Sequence, residues 1–427
     1  QVPLLEVITK CVFTTTTPTG PYRGAGRPEA NYYMERLIDT AARELKIDAI
    51  ELRRRNAIPA AAIPYKAASG LTYDSGDFPT IIDRTLAAAD WDGFADRAAA
   101  SRAKGLLRGR GFCSYLEVTG PPAPEMGGLR FDEDGGVTIV TGTLDYGQGH
   151  LTPFAQLLSS RLGVPVDKVR LLQGDSDQLI AGGGTGGSKS AITSGGAIAE
   201  VADAVIEKGR QAAAHVLEAA VADIEFDNGK FEIAGTDRRV ALLDLAATLR
   251  TRADLPADVP ASLDTELKHE PGPSAFPNGA HVAEVEIDPA TGVTRVVKYS
   301  AVDDFGTILN PMIVEGQVHG GVAQGLGQAL LENVVYDDHG QPLTGSYMDY
   351  AMPRADHMPS ISLGFHAVPA TSNRLGVKGC GEAGCSGALG AVMNAVVDAL
   401  AAHGVRHIDM PATPEKVWRA LNPPKEA

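Results

Sequence analysis

Five glycine-rich stretches limit what this chain can fold into more than any other feature. Each comes at the start of a segment with helical periodicity: GPYRGAGR (20–27), TLDYGQGH (143–150), AGGGTGGSKS (181–190), EGQVHGGVAQG (315–325) and GVKGCGEAGC (376–385). Glycine is costly to order, so it is tolerated where the backbone turns sharply or lies close to another group. The unpaired N–H groups and the dipole of a helix N-terminus favour anions. Several such ends meeting in one place would form a cradle for phosphate groups.

The common nucleotide-binding motifs are absent from these stretches. GAGRPE places Glu29 where a dinucleotide-binding fingerprint needs its third glycine. In GGTGGSKS, Lys189 follows a serine, so the pattern of a phosphate-binding P-loop is not met. The sequence therefore argues against a nucleoside triphosphatase.

Length, charge and cysteine content narrow the function classes. The length of 427 residues predicts two or three domains, with a hydrophobic core large enough to be stable without disulfides or structural metals. The formal net charge of −15, with scattered acids, argues against nucleic acid as a partner and favours a small substrate. The cysteines include no CxxC pair and fit neither a disulfide framework nor an iron–sulfur site. They are Cys11, Cys113, Cys380 and Cys385. We expect a protein of the reducing cytoplasm.

The sequence contains no signal for a membrane. It has no run of about 18 apolar residues and no basic segment followed by an apolar one, so neither a membrane span nor a signal peptide is predicted. The first residues lack a methionine, and their alternation predicts a strand. The alternating positions are Val7, Thr9, Cys11 and Phe13. We interpret this start as a chain that begins inside a domain, either cleaved or encoded as half of something larger.

The first hundred residues predict mainly helices. Pro28 suits the first turn of a helix, and Asp48 is the expected cap of the next one. An apolar stripe marks one face of the first helix. It consists of Leu37, Ile38, Ala41 and Leu45. A basic, glycine-rich stretch over residues 104–110 predicts a boundary between domains of residues 1–103 and 104–427.

A weak internal repeat predicts the fold class. Residues 128–162 and 281–331 share the order hairpin, Asp-rich strand end, Gln/Gly turn and helix. This order predicts an α+β protein with two similar mixed lobes that face one another. A ligand bound between the lobes is the usual consequence.

Glutamines and one isolated glutamate are the candidate functional side chains within the glycine-rich stretches. Gln148, Gln317 and Gln324 offer a donor and an acceptor without charge, which suits the recognition of a heteroaromatic ring or an oxo group. A loop glutamine is more often bonded to solvent or to backbone. Glu382 is either a general base in a dry pocket or a helix cap, because a helix is predicted to follow it.

These stretches together resemble a known family. GPYRGAGRPEANYYMERLIDTAA, GQGH, GTGGSKS, VEGQVHGGVAQGLGQAL and GVKGCGEAGCSGA, in this order and spacing, are similar to the molybdenum-binding large subunit of the xanthine oxidase, aldehyde oxidase and carbon monoxide dehydrogenase family. The resemblance covers the whole chain but only the C-terminal half, or slightly more, of a usual large subunit. It implies that residues 1–103 are the end of a first molybdopterin-binding domain and residues 104–427 a second one.

The resemblance also implies site residues. Glu382 would be the general base, Gln148 would bond the apical oxo group and Arg23 would face the substrate, although a structural salt bridge is as good an explanation for Arg23. The cofactor would be molybdopterin, as its cytosine dinucleotide in bacterial members, and molybdenum would have no protein ligand. Cofactor-binding positions implied by the resemblance are Gly147, Gln148, Gly149, His150, Gly184, Thr185, Gly186, Gly187, Ser188, Ser190, Gln317 and Gly381.

The implied activity is hydroxylation of an aldehyde or an aromatic N-heterocycle with oxygen from water. Electrons would pass to partner chains that carry iron–sulfur clusters and FAD, and the complementary N-terminal piece would complete the site in a dimer of heteromers. One alternative is a scaffold or assembly subunit without cofactor. The other, carbon monoxide oxidation, is disfavoured because Gly24 stands where carbon monoxide dehydrogenases have a copper-binding cysteine. Cys380 and Cys385 are expected to be packing residues.

Overall fold

The computed structural model describes residues 3–252 and 255–423, and it shows an α+β fold. The helices are α1 (Arg27–Leu45), α2 (Ala49–Asn56), α3 (Phe78–Ala88), α4 (Phe94–Ala103), α5 (Leu151–Leu162), α6 (Ser190–Val216), α7 (Leu242–Thr251), α8 (Pro311–Leu330), α9 (Ala383–Leu400) and α10 (Pro414–Leu421). The strands are β1 (Tyr65–Lys66), β2 (Thr72–Tyr73), β3 (Leu107–Leu116), β4 (Glu125–Phe131), β5 (Val137–Val140), β6 (Val169–Leu172), β7 (Ile224–Asp227), β8 (Lys230–Ile233), β9 (Arg239–Ala241), β10 (Thr265–His269), β11 (Asn278–Ile287), β12 (Thr294–Asp304) and β13 (Ile361–Phe365).

Two four-stranded sheets of the same design form the two predicted lobes. One has the strand order β10-β4-β5-β6 and the other β3-β11-β12-β13. Each contains an antiparallel hairpin, β4 with β5 or β11 with β12, followed by a parallel pair, β5 with β6 or β12 with β13. In chain order the units read β4-β5-α5-β6-α6 and β11-β12-α8-β13-α9, which confirms the internal repeat.

The strand that precedes each repeat belongs to the sheet of the other repeat. β3 comes before the first unit but pairs with β11 of the second, over ten residue pairs from Asn278–Leu116 to Ile287–Leu107. β10 comes before the second unit but pairs with β4 of the first. Each sheet is therefore completed by a strand from the other part of the chain, and the lobes are interlocked.

Helix α9 forms the centre of the second lobe. All of its side chains except that of Asp398 are buried. Gly109 and Gly111 of β3 allow this packing, since a Cβ at either position would collide with the α9 backbone. By length and hydropathy one helical segment of the described residues, Ala383–His403, would pass for a membrane span, but 83% of its apolar window is buried inside the protein. The core accounts for its composition.

The stretch 315–325, predicted as a loop before a helix, lies inside helix α8. The helix begins at Asn310, whose side chain accepts a hydrogen bond from the Ile313 N–H at 2.9 Å. Glycine lowers helix propensity, but here it permits contact: a Cβ on Gly321 would lie 2.9 Å from the Cα of Gly384 in α9. The prediction was wrong because tertiary packing, which the local sequence does not show, compensates for the poor propensity.

The buried face of α1 is not the predicted apolar stripe. Leu37 and Leu45 are 60% and 62% exposed, whereas Glu35 and Arg36 are 2% and 7% exposed. The buried charges have polar partners, because Glu35 pairs with Arg53 at 2.5 Å and Arg36 donates through Nη1 to the Asn394 side chain at 2.8 Å. Polar partners inside the protein therefore reverse the orientation that hydrophobicity alone predicts.

The strand predicted at residues 7–13 is absent from this structure. These residues have no regular secondary structure, and Val7 and Phe13 are 74% and 105% exposed. A strand needs a neighbour for its N–H and C=O groups. No strand of the described residues pairs with this segment.

Candidate active site

Four loops that follow the carboxyl ends of parallel strands form most of the site. Residues 141–150 connect β5 to α5, and 173–189 connect β6 to α6. In the second lobe 305–310 connect β12 to α8, and 366–382 connect β13 to α9. This is the edge of a parallel pair at which α/β proteins place ligands. The loop 20–26 before α1 joins them.

Glu382 stands at the N-cap position of α9, but its side chain makes no capping bond. Instead Oε1 accepts from the Gly24 N–H at 3.1 Å, and Oε2 accepts from Ser188 Oγ at 2.8 Å. Arg27 adds a third contact, from Nη2 to Oε2 at 3.3 Å. With its side chain 10% exposed, the carboxylate faces other loops rather than its own helix. This geometry excludes the helix-cap explanation.

Arg23 lies beside Glu382 and is held entirely by uncharged acceptors. Its Nε donates to the Gly381 carbonyl, Nη1 to Gln324 Oε1 at 3.2 Å, and Nη2 to both the carbonyl (2.9 Å) and Oε1 (3.0 Å) of Gln317. No carboxylate pairs with it among residues 3–252 and 255–423, so the structural salt bridge considered from sequence is not observed. Burial lowers the pKa of the guanidinium, and the nearby Glu382 carboxylate partly opposes that effect.

The GQGH turn is organised by Asp145. Its two carboxylate oxygens accept the backbone N–H groups of Gly147 (2.7 Å), Gln148 (2.7 Å), Gly149 (3.2 Å) and His150 (2.8 Å). The turn's N–H groups are thus already bonded, and they do not form the open phosphate cradle that the glycines suggested. Burial alone would raise the pKa of Asp145, but these hydrogen bonds outweigh it and lower the pKa.

The side chains of Gln148 and His150 are oriented by contacts with neighbouring residues. Oε1 of Gln148 accepts from the Tyr146 N–H, so its Nε2 is the amide atom left to face a ligand. The buried His150 lies 3.5 Å from Gln173 Nε2 through Nδ1, and desolvation lowers its pKa. Of the three predicted glutamines, Gln317 and Gln324 lie on α8 and meet at Arg23, whereas Gln148 lies in the other lobe.

The loop 182–190 joins the two lobes. Gly182 packs on Gly142 so closely that a Cβ would collide, and Thr185 Oγ1 accepts from the Leu144 N–H at 3.2 Å. Ser188 has φ 57° and reaches Glu382, while a Cβ on Gly187 would lie 2.6 Å from Gly120 Cα. The loop is therefore fixed by backbone contacts on one side.

The other side of this loop fits a pterin with phosphates. A Cβ built on Gly186 meets no atom of the described chain within 4 Å, and one on Gly184 meets only Tyr146 Oη, at 3.6 Å. Thr185 and Ser190 stand at the same turn with their hydroxyl oxygens 3.4 Å apart. Uncharged donors beside open backbone suit a polar ring system. No group of three or more His, Cys, Asp or Glu side chains suited to a metal occurs in the described residues.

Three residues of this site, Arg27, Glu117 and Ser386, were not predicted from the sequence. Glu117, directly after β3, is 1% exposed and accepts from Arg27 Nε and, at 2.5 Å, from Ser386 Oγ. An acidic residue directly after a largely buried strand was the available signal. Two surface cavities of about 170 and 620 Å³ lie elsewhere, beside β4 and β10 and beside α2 and α3, and neither borders Glu382.

Comparison with known proteins decides the family. Residues 84–359 match the family model "molybdopterin cofactor-binding domain", and residues 1–57 match a second model of that description. The chain belongs to the molybdenum-binding large subunits of the xanthine oxidase family. Its relatives in this family cover nearly all of it. They include the nicotine 6-hydroxylase large subunit of Paenarthrobacter nicotinovorans, 34% identical over 98% of this chain and 53% of the relative.

Further members show the same proportions. The carbon monoxide dehydrogenase large chain of Hydrogenophaga pseudoflava is 33% identical over 99% of this chain and 54% of the relative. The structure of quinoline 2-oxidoreductase from Pseudomonas putida 86 aligns with a TM-score of 0.85 and 35% identity, over 94% of this chain and 53% of that chain. The α+β fold is thus that of the xanthine oxidase family, and this chain spans about half the length of the relatives it matches.

Proposed function

We propose that this chain contributes the molybdenum-binding part of a hydroxylase and that Glu382 is its general base. The observation that carries the proposal is the direction of the Glu382 carboxylate, which leaves the helix it could cap and enters the meeting point of three loops. Bound molybdopterin would supply a two-electron acceptor and a water-derived oxygen nucleophile. Family membership supports this cofactor, and we propose its cytosine dinucleotide form.

The residues of the chain divide the remaining work. Glu382 Oε1 accepts one hydrogen bond, from Gly24, and so has a lone pair left to take the proton of the nucleophile. Arg23, a cation without a carboxylate partner in the described chain, would stabilise negative charge that develops on the substrate. Nε2 of Gln148 and of Gln317 would donate to the cofactor, since Oε1 of each is already bonded.

The cofactor itself would be held by backbone and hydroxyl groups. We assign this role to Gly184, Thr185, Gly186, Gly187, Ser188 and Ser190 of the loop 182–190, to Gly147, Gly149 and His150 of the GQGH turn, and to Gly381. The open side of the 182–190 loop supports the assignment. In the GQGH turn the role falls to side chains and carbonyls, because Asp145 occupies the N–H groups.

An aromatic N-heterocycle is the substrate class we favour over an aldehyde. The relatives named for nicotine and quinoline act on molecules with a pyridine-type ring, and both are at least 34% identical to this chain. The aldehyde oxidoreductase structures are 24% and 23% identical and support the fold alone. Carbon monoxide oxidation is disfavoured, since Gly24 has φ 104° and a Cβ there would collide with Pro28. A copper-binding cysteine at this position would not fit.

Exposed apolar surface supports a partner for this chain. Leu4, Ile8 and Phe13 are 82%, 86% and 105% exposed, and Leu37 and Leu45 of α1 are also exposed. We propose that the complementary N-terminal molybdenum-domain piece covers this surface, in a cytoplasmic dimer of heteromers with iron–sulfur and FAD subunits. We also propose the domain boundary between Ala103, where α4 ends, and Leu107, where β3 begins.

The assembled complex provides the test. Purified complex should contain molybdenum and release a cytidine nucleotide, and Glu382→Gln should lower turnover of a pyridine-type substrate by roughly 10²–10⁴-fold at unchanged molybdenum content. Glu35→Gln, in a buried carboxylate outside the site, is the control and should keep turnover. Metal-free complex with intact partner subunits, or full turnover in Glu382→Gln, would instead indicate a scaffold subunit.

A further inference from the structure

A second buried carboxylate lies behind the candidate base. We propose that Glu117 is a positioning residue that fixes Arg27 and thereby sets both the direction and the proton affinity of Glu382. This inference rests on the proposed function, in which Glu382 is the general base. It concerns a residue that contacts neither the loops assigned to the cofactor nor open solvent.

Both carboxylate oxygens of Glu117 are hydrogen-bonded inside the protein, and two of its partners also contact Glu382. Its side chain is 0% exposed, Oε1 accepts from Arg27 Nε and from the Val118 N–H at 3.1 Å, and Oε2 accepts from Ser386 Oγ at 2.5 Å. Burial raises the pKa of Glu117, while the Ser386 hydrogen bond and Arg27 oppose the rise. A buried carboxylate remains charged in such a site only because both of its oxygens accept hydrogen bonds.

Arg27 is shared between the two carboxylates. Its Nε binds Glu117, and its Nη2 lies 3.3 Å from Glu382 Oε2, so the planar guanidinium spans both groups. Because the guanidinium is planar and rigid, the hydrogen bond from Nε to Glu117 also restricts the direction of Nη2. One cation therefore serves both carboxylates, and each is within ion-pair distance of the guanidinium.

Ser386 provides a second connection between the same two residues. Its N–H donates to the Glu382 carbonyl at 3.1 Å, and its Oγ donates to Glu117 at 2.5 Å. Glu117 therefore holds the first turn of α9, where Glu382 begins the helix, in addition to Arg27. Glu117 is therefore connected to Glu382 in two ways, through the Arg27 cation and through Ser386 in the first turn of α9.

The charges around Glu382 predict a specific change in the pH dependence of activity. Besides Glu117, the charged or titratable groups around this corner include Tyr22, Arg23, Arg27, Glu29, Cys380 and Cys385. Neutralising Glu117 leaves the Arg27 cation undivided beside Glu382, so the base holds its proton less tightly. Removing Arg27 instead leaves two carboxylates without their shared cation, so the base holds its proton more tightly.

The test is the pH profile of kcat/KM in the assembled complex. Activity that requires a deprotonated base rises with pH along an acid limb. Glu117→Gln should move this limb to lower pH by about one unit and lower the plateau, and Arg27→Gln should move it to higher pH by a similar amount. Glu35→Gln is the matched control, because Glu35 holds Arg53 and the Ser114 hydroxyl (3.1 Å) much as Glu117 holds Arg27 and Ser386. It should leave the limb in place.

A readout that does not depend on turnover accompanies the profile. In a crystal structure of the Glu117→Gln complex, the guanidinium of Arg27 should lie closer to Glu382 than the present 3.3 Å. An unmoved guanidinium together with a limb that coincides with the Glu35→Gln limb overturns the proposal. Should Glu117→Gln fail to assemble, Arg27→Gln decides, since an unshifted limb in that variant also overturns it. Full activity in Glu382→Gln would reject the proposed function instead.

Discussion

Gly384→Ala tests whether the glycines of α8 and α9 serve close packing rather than turns. A Cβ at position 384 would collide with the Val318 carbonyl and lie 2.8 Å from the Val322 nitrogen and 3.0 Å from Gly321 Cα. All three are backbone atoms of α8, so no side chain can rotate away and the helices must separate. Overpacking of this kind costs about 1–3 kcal/mol. We expect destabilisation by about 2 kcal/mol, together with loss of turnover as Glu382 moves.

Gly316→Ala is the matched control in the same helix pair. A Cβ at Gly316 in α8 meets no atom of the described chain within 4 Å, so the substitution should stabilise by about 0.5–1 kcal/mol. Thermal unfolding of the assembled complex compares the melting temperatures of the two variants. A Gly384→Ala melting temperature equal to or above that of Gly316→Ala would show that close approach of the helices is not the reason for the glycine.

Two further substitutions test the anchors of the loops that form the candidate site. Lys378→Met should cost about 3–5 kcal/mol in chemical denaturation, because it leaves Asp304 unpaired in a 2.5 Å ion pair whose side chains are both 0% exposed; a loss below about 1 kcal/mol would refute this. Asp145→Ala should release the GQGH turn and lower the molybdenum content of the complex. The lowered pKa of Asp145 means that its stabilisation is present above the unfolded-state pKa and is lost as the pH falls through the folded-state pKa, so wild type and Asp145→Ala should converge in stability at acid pH; a constant difference would contradict this.

Local sequence signals predicted those elements whose cause is local. Pro28 does stand in the first turn of α1, and the Asp48 side chain does accept from the Ile50 and Glu51 N–H groups at 2.9 Å. Asp134-Gly135-Gly136 and Asn228-Gly229 are sequences that predict hairpin turns, and they do connect β4 with β5 and β7 with β8. A cap or a turn depends on a few neighbouring residues, and these are visible in any sequence.

The errors arose where the cause is distant in sequence. The stretch 315–325, with four glycines, was predicted as a loop because α9, the helix against which the α8 glycines pack, begins more than fifty residues after α8 ends. The α1 stripe was predicted to be buried because the neighbouring sequence does not show that Glu35 and Arg36 have buried partners. These partners are Arg53 and Asn394. Glu117 was missed for the same reason, since Arg27 and Ser386 stand 90 and 269 positions away.

The internal repeat explains why the contact between Ser188 and Glu382 exists at all. In the first lobe the loop after β6 leads into α6, and in the second the loop after β13 leads into α9, so these loops occupy equivalent places. Ser188 stands two residues before α6 and Glu382 one residue before α9, and they meet at 2.8 Å. Since β3 and β10 are exchanged between the sheets, neither lobe can be completed without the other. The interlocked strands thus keep the two equivalent loops together. Ser188 and Glu382, which are far apart in the sequence and belong to different lobes, therefore form a hydrogen-bonded pair.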